Sequence, residues 1–319
     1  MWSVVASVIP LVLAIAIGVL LRRIGLLDAD SARRLNKLVY WVLFPCFLVV
    51  KLGTSEALAH PGGVYPLGPL LSQWIAIAIT MLVFVGFGRR LDPGVRGSVF
   101  SVAFRSNGAF IGLPLAALLG SNGAIGDDAV ARYLLLLTGI VPTFNVVSVI
   151  GFILPRHGLR WAALLPTLRG LLTNPILWGC FIGLGLGLLP EDLAQLWRGG
   201  VIEDSLWLVG DPAIGLALIG AGASLRLTDF RSAGTVTWLA TAWKLAVMPA
   251  LALGAGLLLG LSHADLVVLT IVAVCPTAVA TVPMATALEG DLGVAATGVV
   301  LTTLLAPVSI VCWLALWLA

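Results

Sequence analysis

Two short polar clusters interrupt otherwise apolar stretches of this chain, and they are where it could do chemistry. The first is Arg105-Ser106-Asn107-Gly108, inside SVFSVAFRSNGAFIGLPLAALLG; the second is Pro276-Thr277, followed by Thr281, inside LVVLTIVAVCPTAVATVPMATALEG. Each cluster stands six to seven residues before a proline, Pro114 and Pro283 respectively. Asn and Gly are poor helix formers, and Pro276 cannot donate to the turn before it, so a helix entering either cluster should unwind there. Unwinding exposes free N–H groups and the positive end of a helix dipole, one after Asn107 and one after Thr277. Such ends cradle carboxylates. Asn107 suits a cap on the restarted helix. Arg105 either gives an anion a charge-assisted bond or neutralises the carboxyl end of the helix before it. Thr277 and Thr281 either line the site or bond to nearby backbone carbonyls.

Few other side chains are candidates. Asp211 is the only carboxylate well inside an apolar run. It is either a proton carrier or, with Pro212 after it, an ordinary cap and first-turn pair. Lys244 either pairs with an acid, serves coupling, or reaches the membrane interface. Asn145, near Pro142, either lines the same cavity or bonds between helices. His60, His157 and His263 are isolated from one another, and the four cysteines sit in apolar runs without C-x-x-C spacing, so no metal and no cofactor are expected. No D-D-x-x-D, H-E-x-x-H or Ser-His pairing is present, and Asp127-Asp128 reads as a solvated doublet, which counts against a membrane-embedded enzyme.

The elements that must position these residues follow from composition. Of 319 residues, 60% are hydrophobic, 36 are Gly and only 10% are charged, too few charges to cover a soluble surface. A soluble enzyme, a DNA-binding domain and a disordered scaffold are excluded. The net charge of +3 is too small to suggest a nucleic-acid partner. The bilayer is the expected environment, and the chain divides into ten apolar stretches, near 3–21, 36–53, 67–88, 97–119, 130–153, 174–189, 203–224, 235–260, 265–288 and 292–318. Ten-residue alternating strands are absent, so the expected class is an all-α integral membrane protein. Counted from residue 97, Asn107 falls about 15 Å along its span, half of a ~30 Å hydrocarbon core.

Of the 18 Lys and Arg, 13 lie in the odd-numbered loops, which should therefore be cytoplasmic, with both termini periplasmic or extracellular. The first span has no basic residue before it and Arg22-Arg23 directly after it, as a retained span would. The excess of Arg over Lys and the abundant Ala and Gly point to a GC-rich bacterial genome, and so to the inner membrane. Prolines recur about 165 residues apart: Pro10 with Pro175, Pro45 with Pro212, Pro114 with Pro283, and Pro142 with Pro307. IPLVLAIAIG in span 1 parallels NPILWGCFIG in span 6. The chain thus reads as a five-helix repeat over 1–155, a cytoplasmic linker over 156–173 with its Arg residues toward the headgroups, and a second repeat over 174–319. An odd number of spans per copy makes the second copy inverted, the arrangement of secondary transporters. Gly179, Gly183 and Gly187 permit close helix approach, either within the chain or between two subunits of a homodimer.

RSNGAFIGLPL in span 4, Asn174-Pro175 at span 6, GDPAIGLALIGAGASL in span 7 and CPTAVATVPMATAL in span 9 together resemble the auxin efflux carrier family. That family contains bacterial organic-anion permeases and plant PIN exporters, and is related in fold to bile acid sodium symporters. The resemblance covers essentially the whole chain. It implies a crossover elevator transporter, with a scaffold from spans 1, 2, 6 and 7, a moving domain from spans 3–5 and 8–10, and spans 4 and 9 crossing. The cargo it implies is a small organic anion bound by Arg105, Ser106, Asn107, Gly108, Asn145, Pro276, Thr277 and Thr281, with export or exchange driven by protons or potential. The long hydrophilic loop of the larger plant members is missing, since only about 20 residues join spans 5 and 6. A sodium-coupled symporter of the bile acid type is the alternative, and the scarcity of buried acids counts against it.

Overall fold

The computed structural model describes residues 2–54, 66–88, 90–157, 169, 172–225 and 234–318. These residues form helices α1 (Trp2–Arg23), α2 (Ala29–Gly53), α3 (Leu67–Gly86), α4 (Pro93–Phe104), α5 (Gly108–Ser121) and α6 (Asp127–His157), then α7 (Pro175–Gly187), α8 (Val201–Ser224), α9 (Thr235–Leu258), α10 (His263–Val274), α11 (Thr281–Ala287) and α12 (Leu292–Leu318). No strand is present among the described residues. Seven helices (α1, α2, α3, α6, α8, α9 and α12) are long and apolar enough to cross a membrane, and α5, α7 and α10 are shorter apolar helices. Large apolar side chains such as Leu13, Trp178, Leu208 and Leu258 are exposed on their outer faces, as lipid contact requires. The protein is a multi-pass helical membrane protein. The linker expected over 156–173 on the cytoplasmic surface falls mostly outside the described residues, as does His60.

Capping residues set several helix starts. Asp28 accepts the Ser31 N–H at 2.7 Å to open α2, and this bond holds its carboxyl below the usual carboxylate range. Asp92 accepts the Gly94 N–H at 2.8 Å to open α4. Asn174 accepts from Ile176 at 3.0 Å and Leu177 at 3.4 Å, with Pro175 in the first turn of α7. The polar opening turns of α2 make it begin at Ala29, before the apolar run that starts at residue 36.

Three turns widen to a π-helical course just before an X-Pro pair: Val39–Leu43 before Phe44-Pro45, Gly108–Gly112 before Leu113-Pro114, and Trp243–Val247 before Met248-Pro249. A proline cannot donate and its ring crowds the carbonyl four residues back, so the residue before it reaches five residues back instead. Phe44 thus bonds to Val39, Leu113 to Gly108 and Met248 to Trp243. The carbonyl that Pro249 leaves free, on Leu245, accepts from Ser309 Oγ at 2.7 Å and Trp313 Nε1 at 3.0 Å, which ties α9 to α12.

Small residues bring other helices together. Gly179 and Gly183 of α7 lie on Pro45, Leu48 and Leu52 of α2, so this step of the glycine stripe is used inside the chain. A Cβ on Gly18 of α1 would stand 2.0 Å from the Ile219 carbonyl of α8, and one on Gly222 would stand 2.0 Å from the Ile15 carbonyl of α1. The remaining helices pack chiefly α4 on α6, α3 on α9, and α12 against α4 and α10. Among the cysteines, Cys180 and Cys275 are buried and Cys312 is exposed.

Candidate functional site

Two helices stop within the membrane stretches and restart. α4 ends at Phe104 and α5 begins at Gly108; α10 ends at Val274 and α11 begins at Thr281. The two gaps cross. Asn107 donates its N–H to the Pro276 carbonyl at 2.8 Å, and Ala278 donates to the Arg105 carbonyl at 3.0 Å, which pairs Ser106 with Thr277 as an isolated antiparallel bridge. Each break thus satisfies backbone groups that the other has freed. Side chains complete the knot. Thr277 donates its hydroxyl to the Val102 carbonyl at 2.7 Å, near the end of α4, and its N–H to Thr302 Oγ1 at 3.1 Å. Lys244, fully buried in the widened turn of α9, donates to Ser106 Oγ at 2.7 Å and to the Ala273 carbonyl at 2.9 Å.

Beside this knot lies a cavity of about 800 Å³, within the range of small-molecule sites. Arg105, Ser106, Asn107 and Gly108 line one part of it, and Phe110, Leu137, Phe144 and Val279 give it apolar walls. Arg22, Arg33 and Lys37 also border it, and Arg33 and Lys37 are exposed, which marks its mouth. Asn107 caps α5 by accepting the Phe110 N–H at 3.3 Å. The first-turn N–H groups of a helix have no carbonyl within that helix, so the start of α5 offers donors to the cavity.

Arg105 is buried beside the cavity, with 6% of its surface exposed. One guanidinium nitrogen donates to Asn145 Oδ1 at 2.8 Å, and the other donates to Ser148 Oγ at 3.3 Å and touches Met284 Sδ. The ion pairs found among the described residues are Arg33–Asp30, Arg132–Asp265 and Arg156–Glu289, so no described carboxylate neutralises Arg105. A buried guanidinium held only by neutral acceptors favours an anion within reach.

The residues singled out from sequence divide cleanly. Arg105, Ser106, Asn107, Gly108 and Asn145 line the cavity together. Pro276, Thr277, Thr281 and Lys244 do not; the first two and Lys244 form the knot behind the wall, and Thr281 is buried. The helix expected to restart after Thr277 does so four residues on, at Thr281. The chain makes a turn first, the N–H groups of Thr281 and Val282 are taken by Ala278 and Val279, and α11 has only seven residues. Lys244 is fully buried and pairs with no acid among the described residues. Asp211 lies away from the cavity, exposed between the halves of α8, and does not cap the second half, which starts without a side-chain cap.

Sequence reasoning missed Asn36, Tyr40 and Asn174, which also line the cavity. Asn36 donates to Ser224 Oγ at 2.8 Å and to the Gly220 carbonyl at 3.3 Å, fastening α2 to α8. Asn36 and Tyr40 are four residues apart, hence on one helical face, and that spacing in the amphipathic opening of α2 was the available signal.

A multi-pass helical protein with broken helices crossing beside a cavity that is cationic at one end and apolar along its walls belongs, by its architecture, among membrane carriers. The chain belongs to the membrane transport protein family, the auxin efflux carrier family, whose sequence pattern matches residues 3–160 and 159–314. It is similar to an "Uncharacterized transporter" of Methanothermobacter thermautotrophicus, 22% identical over 311 residues, which is 96% of each chain.

Proposed function

We propose that this chain is a secondary transporter of a small organic anion, whose carboxylate binds between Arg105 and the start of α5 while its body lies against Phe110, Phe144 and Val279. The observation that carries this reading is Arg105: a buried cation at the cavity with no described carboxylate partner, next to a capped helix N-terminus. In this reading the chain has ten spans in two inverted repeats, with α4–α5 and α10–α11 each counted as one broken span. The helices α1, α2, α7 and α8 form the scaffold, and the rest move as an elevator. Both termini face outward from the inner membrane of a bacterium, on the strength of the basic residues around the odd-numbered loops. The cavity mouth at Arg22, Arg33 and Lys37 belongs to the first of those loops, so the cavity faces the cytoplasm, the side from which an exporter loads. Proton or membrane potential drives export, and any homodimer forms through the scaffold.

The test is a melting-temperature screen of organic acids on purified protein, with and without sodium and across pH. A ligand that binds only the folded state stabilises it by RT ln(1 + [L]/Kd), about 2.7 kcal/mol at a hundred times Kd. The expected result is a carboxylate that stabilises the wild type and does so far less for Arg105→Gln. Equal stabilisation of both proteins would remove the site assignment.

A further inference from the structure

Lys244 sits at a point that asks for a positive charge. α4 ends at Phe104 and α10 at Val274, so two helix carboxyl ends, each equivalent to roughly half a negative charge, converge on the crossing. Thr277 takes the Val102 carbonyl of one end, and the Lys244 ammonium takes the Ala273 carbonyl of the other while also holding Ser106 Oγ of the opposite break. A hydroxyl and a terminal helix carbonyl are the oxygen donors that a bound alkali-metal ion would use, and broken-helix carboxyl ends are where coupling cations bind in secondary transporters. No carboxylate contributes to this knot among the described residues; Cys275, which precedes Pro276 in the chain, is buried and turns its thiol to the Ile271 carbonyl at 3.0 Å.

We propose that Lys244 is a tethered cation: its ammonium occupies the place of a coupling ion, holds the two broken helices together at their crossing, and makes this protein independent of sodium. Lys244 is a positioning residue in this account, since it lies behind the cavity wall and touches Ser106 rather than the cargo. Only the consequence for coupling rests on the transporter reading. The melting measurement below needs no substrate, so it can fail while the anion site stands, and the reverse.

The first measurement is the melting temperature of the wild type with sodium chloride replaced by choline chloride at constant ionic strength. The expected change is under about 1 °C, and a sodium-specific rise of about 3 °C or more overturns the proposal, whatever any variant does. The second uses Lys244→Ala, which opens room at the two oxygen donors. It should melt several degrees lower and recover with sodium or methylammonium but not with choline, whereas Lys244→Met, which keeps the stem and drops the charge, should stay low in every salt. Recovery by all salts alike, or by none, overturns the proposal, because packing alone would then explain the lysine. If Lys244→Ala does not fold, Lys244→Gln answers the question: a variant that melts with the wild type in choline shows that no cation is needed there.

Discussion

The two breaks carry similar signals in sequence and meet in space, yet they are built to different ends. At the first, three residues separate α4 from α5, Asn107 caps the restarted helix, and its opening turn faces the cavity. At the second, six residues separate α10 from α11, a turn consumes the N–H groups of Thr281 and Val282, and the Thr277 hydroxyl turns back onto α4. What the second break shows the cavity is apolar: Ala278, Val279 and Ala280. The difference at the cavity lies in the side chains: Arg105, Ser106 and Asn107 line it from the first break, and only apolar ones line it from the second. In the proposed reading the first break carries recognition and the second carries rigidity, a division that mutations can test.

The largest effect on recognition is expected from Arg105→Gln. A charge-assisted bond is worth ~1.5 to 3 kcal/mol, so anion affinity should fall at least about tenfold while a neutral amide analogue of the same ligand loses little. Binding isotherms for the pair of ligands give the answer. Equal losses for both would mean that Arg105 only supports Asn145 and Ser148, and the contrast between the breaks would lose its main element.

Thr277→Val should do the opposite. It is close to isosteric, but it leaves the Val102 carbonyl unpartnered in a buried place, a cost of ~1 to 3 kcal/mol. The melting temperature should drop while the affinity of the folded protein for its anion stays within about twofold. An affinity loss as large as that of Arg105→Gln would show that the second break also serves the ligand.

How much of this was legible beforehand depends on what kind of force decides each feature. Contact with lipid demands long uniform apolar runs, so helix is found in every stretch that hydropathy marks out, and Arg105-Ser106-Asn107-Gly108 announced its break by propensity alone. The opening of α2 was misplaced because ADSARRLNKL is too polar to count as a span, although Asp28 caps it and its inward face carries Asn36 toward the cavity. Lys244 stood out in sequence but its contact did not: its partner Ser106 is 138 residues away, and local pattern says nothing about such a pair. The side to which Asp211 turns was unreadable because the half of α8 after it, AIGLALIGAGAS, is apolar all round, and periodicity cannot then tell an inward face from an outward one.

A smaller effect is expected from Asn107→Ala. It removes a cap worth ~1 kcal/mol and loosens the first turn of α5, so anion affinity should weaken several-fold and stability slightly. The Asn107 N–H to Pro276 bond is made by backbone and survives the substitution, so the crossing itself should hold. If Asn107→Ala destabilises the protein as much as Thr277→Val, the cap is part of the knot, and the two breaks are more alike than their hydrogen bonds indicate.

The smallest effect is expected from Asp211→Asn. The Asp211 N–H continues the helix by donating to the Trp207 carbonyl at 2.8 Å, so the backbone course does not rely on the side chain. The carboxylate lies outside the cavity and caps nothing in α8, so anion affinity and its pH profile should match the wild type within about twofold. An amide of the same size cannot titrate near neutral pH, so the substitution separates charge from shape. Should the pH dependence of transport vanish in Asp211→Asn while binding persists, protons would be carried on α8, away from both breaks. Coupling would then belong to a third region, and the tethered ammonium at the crossing would hold the helices without taking part in ion movement.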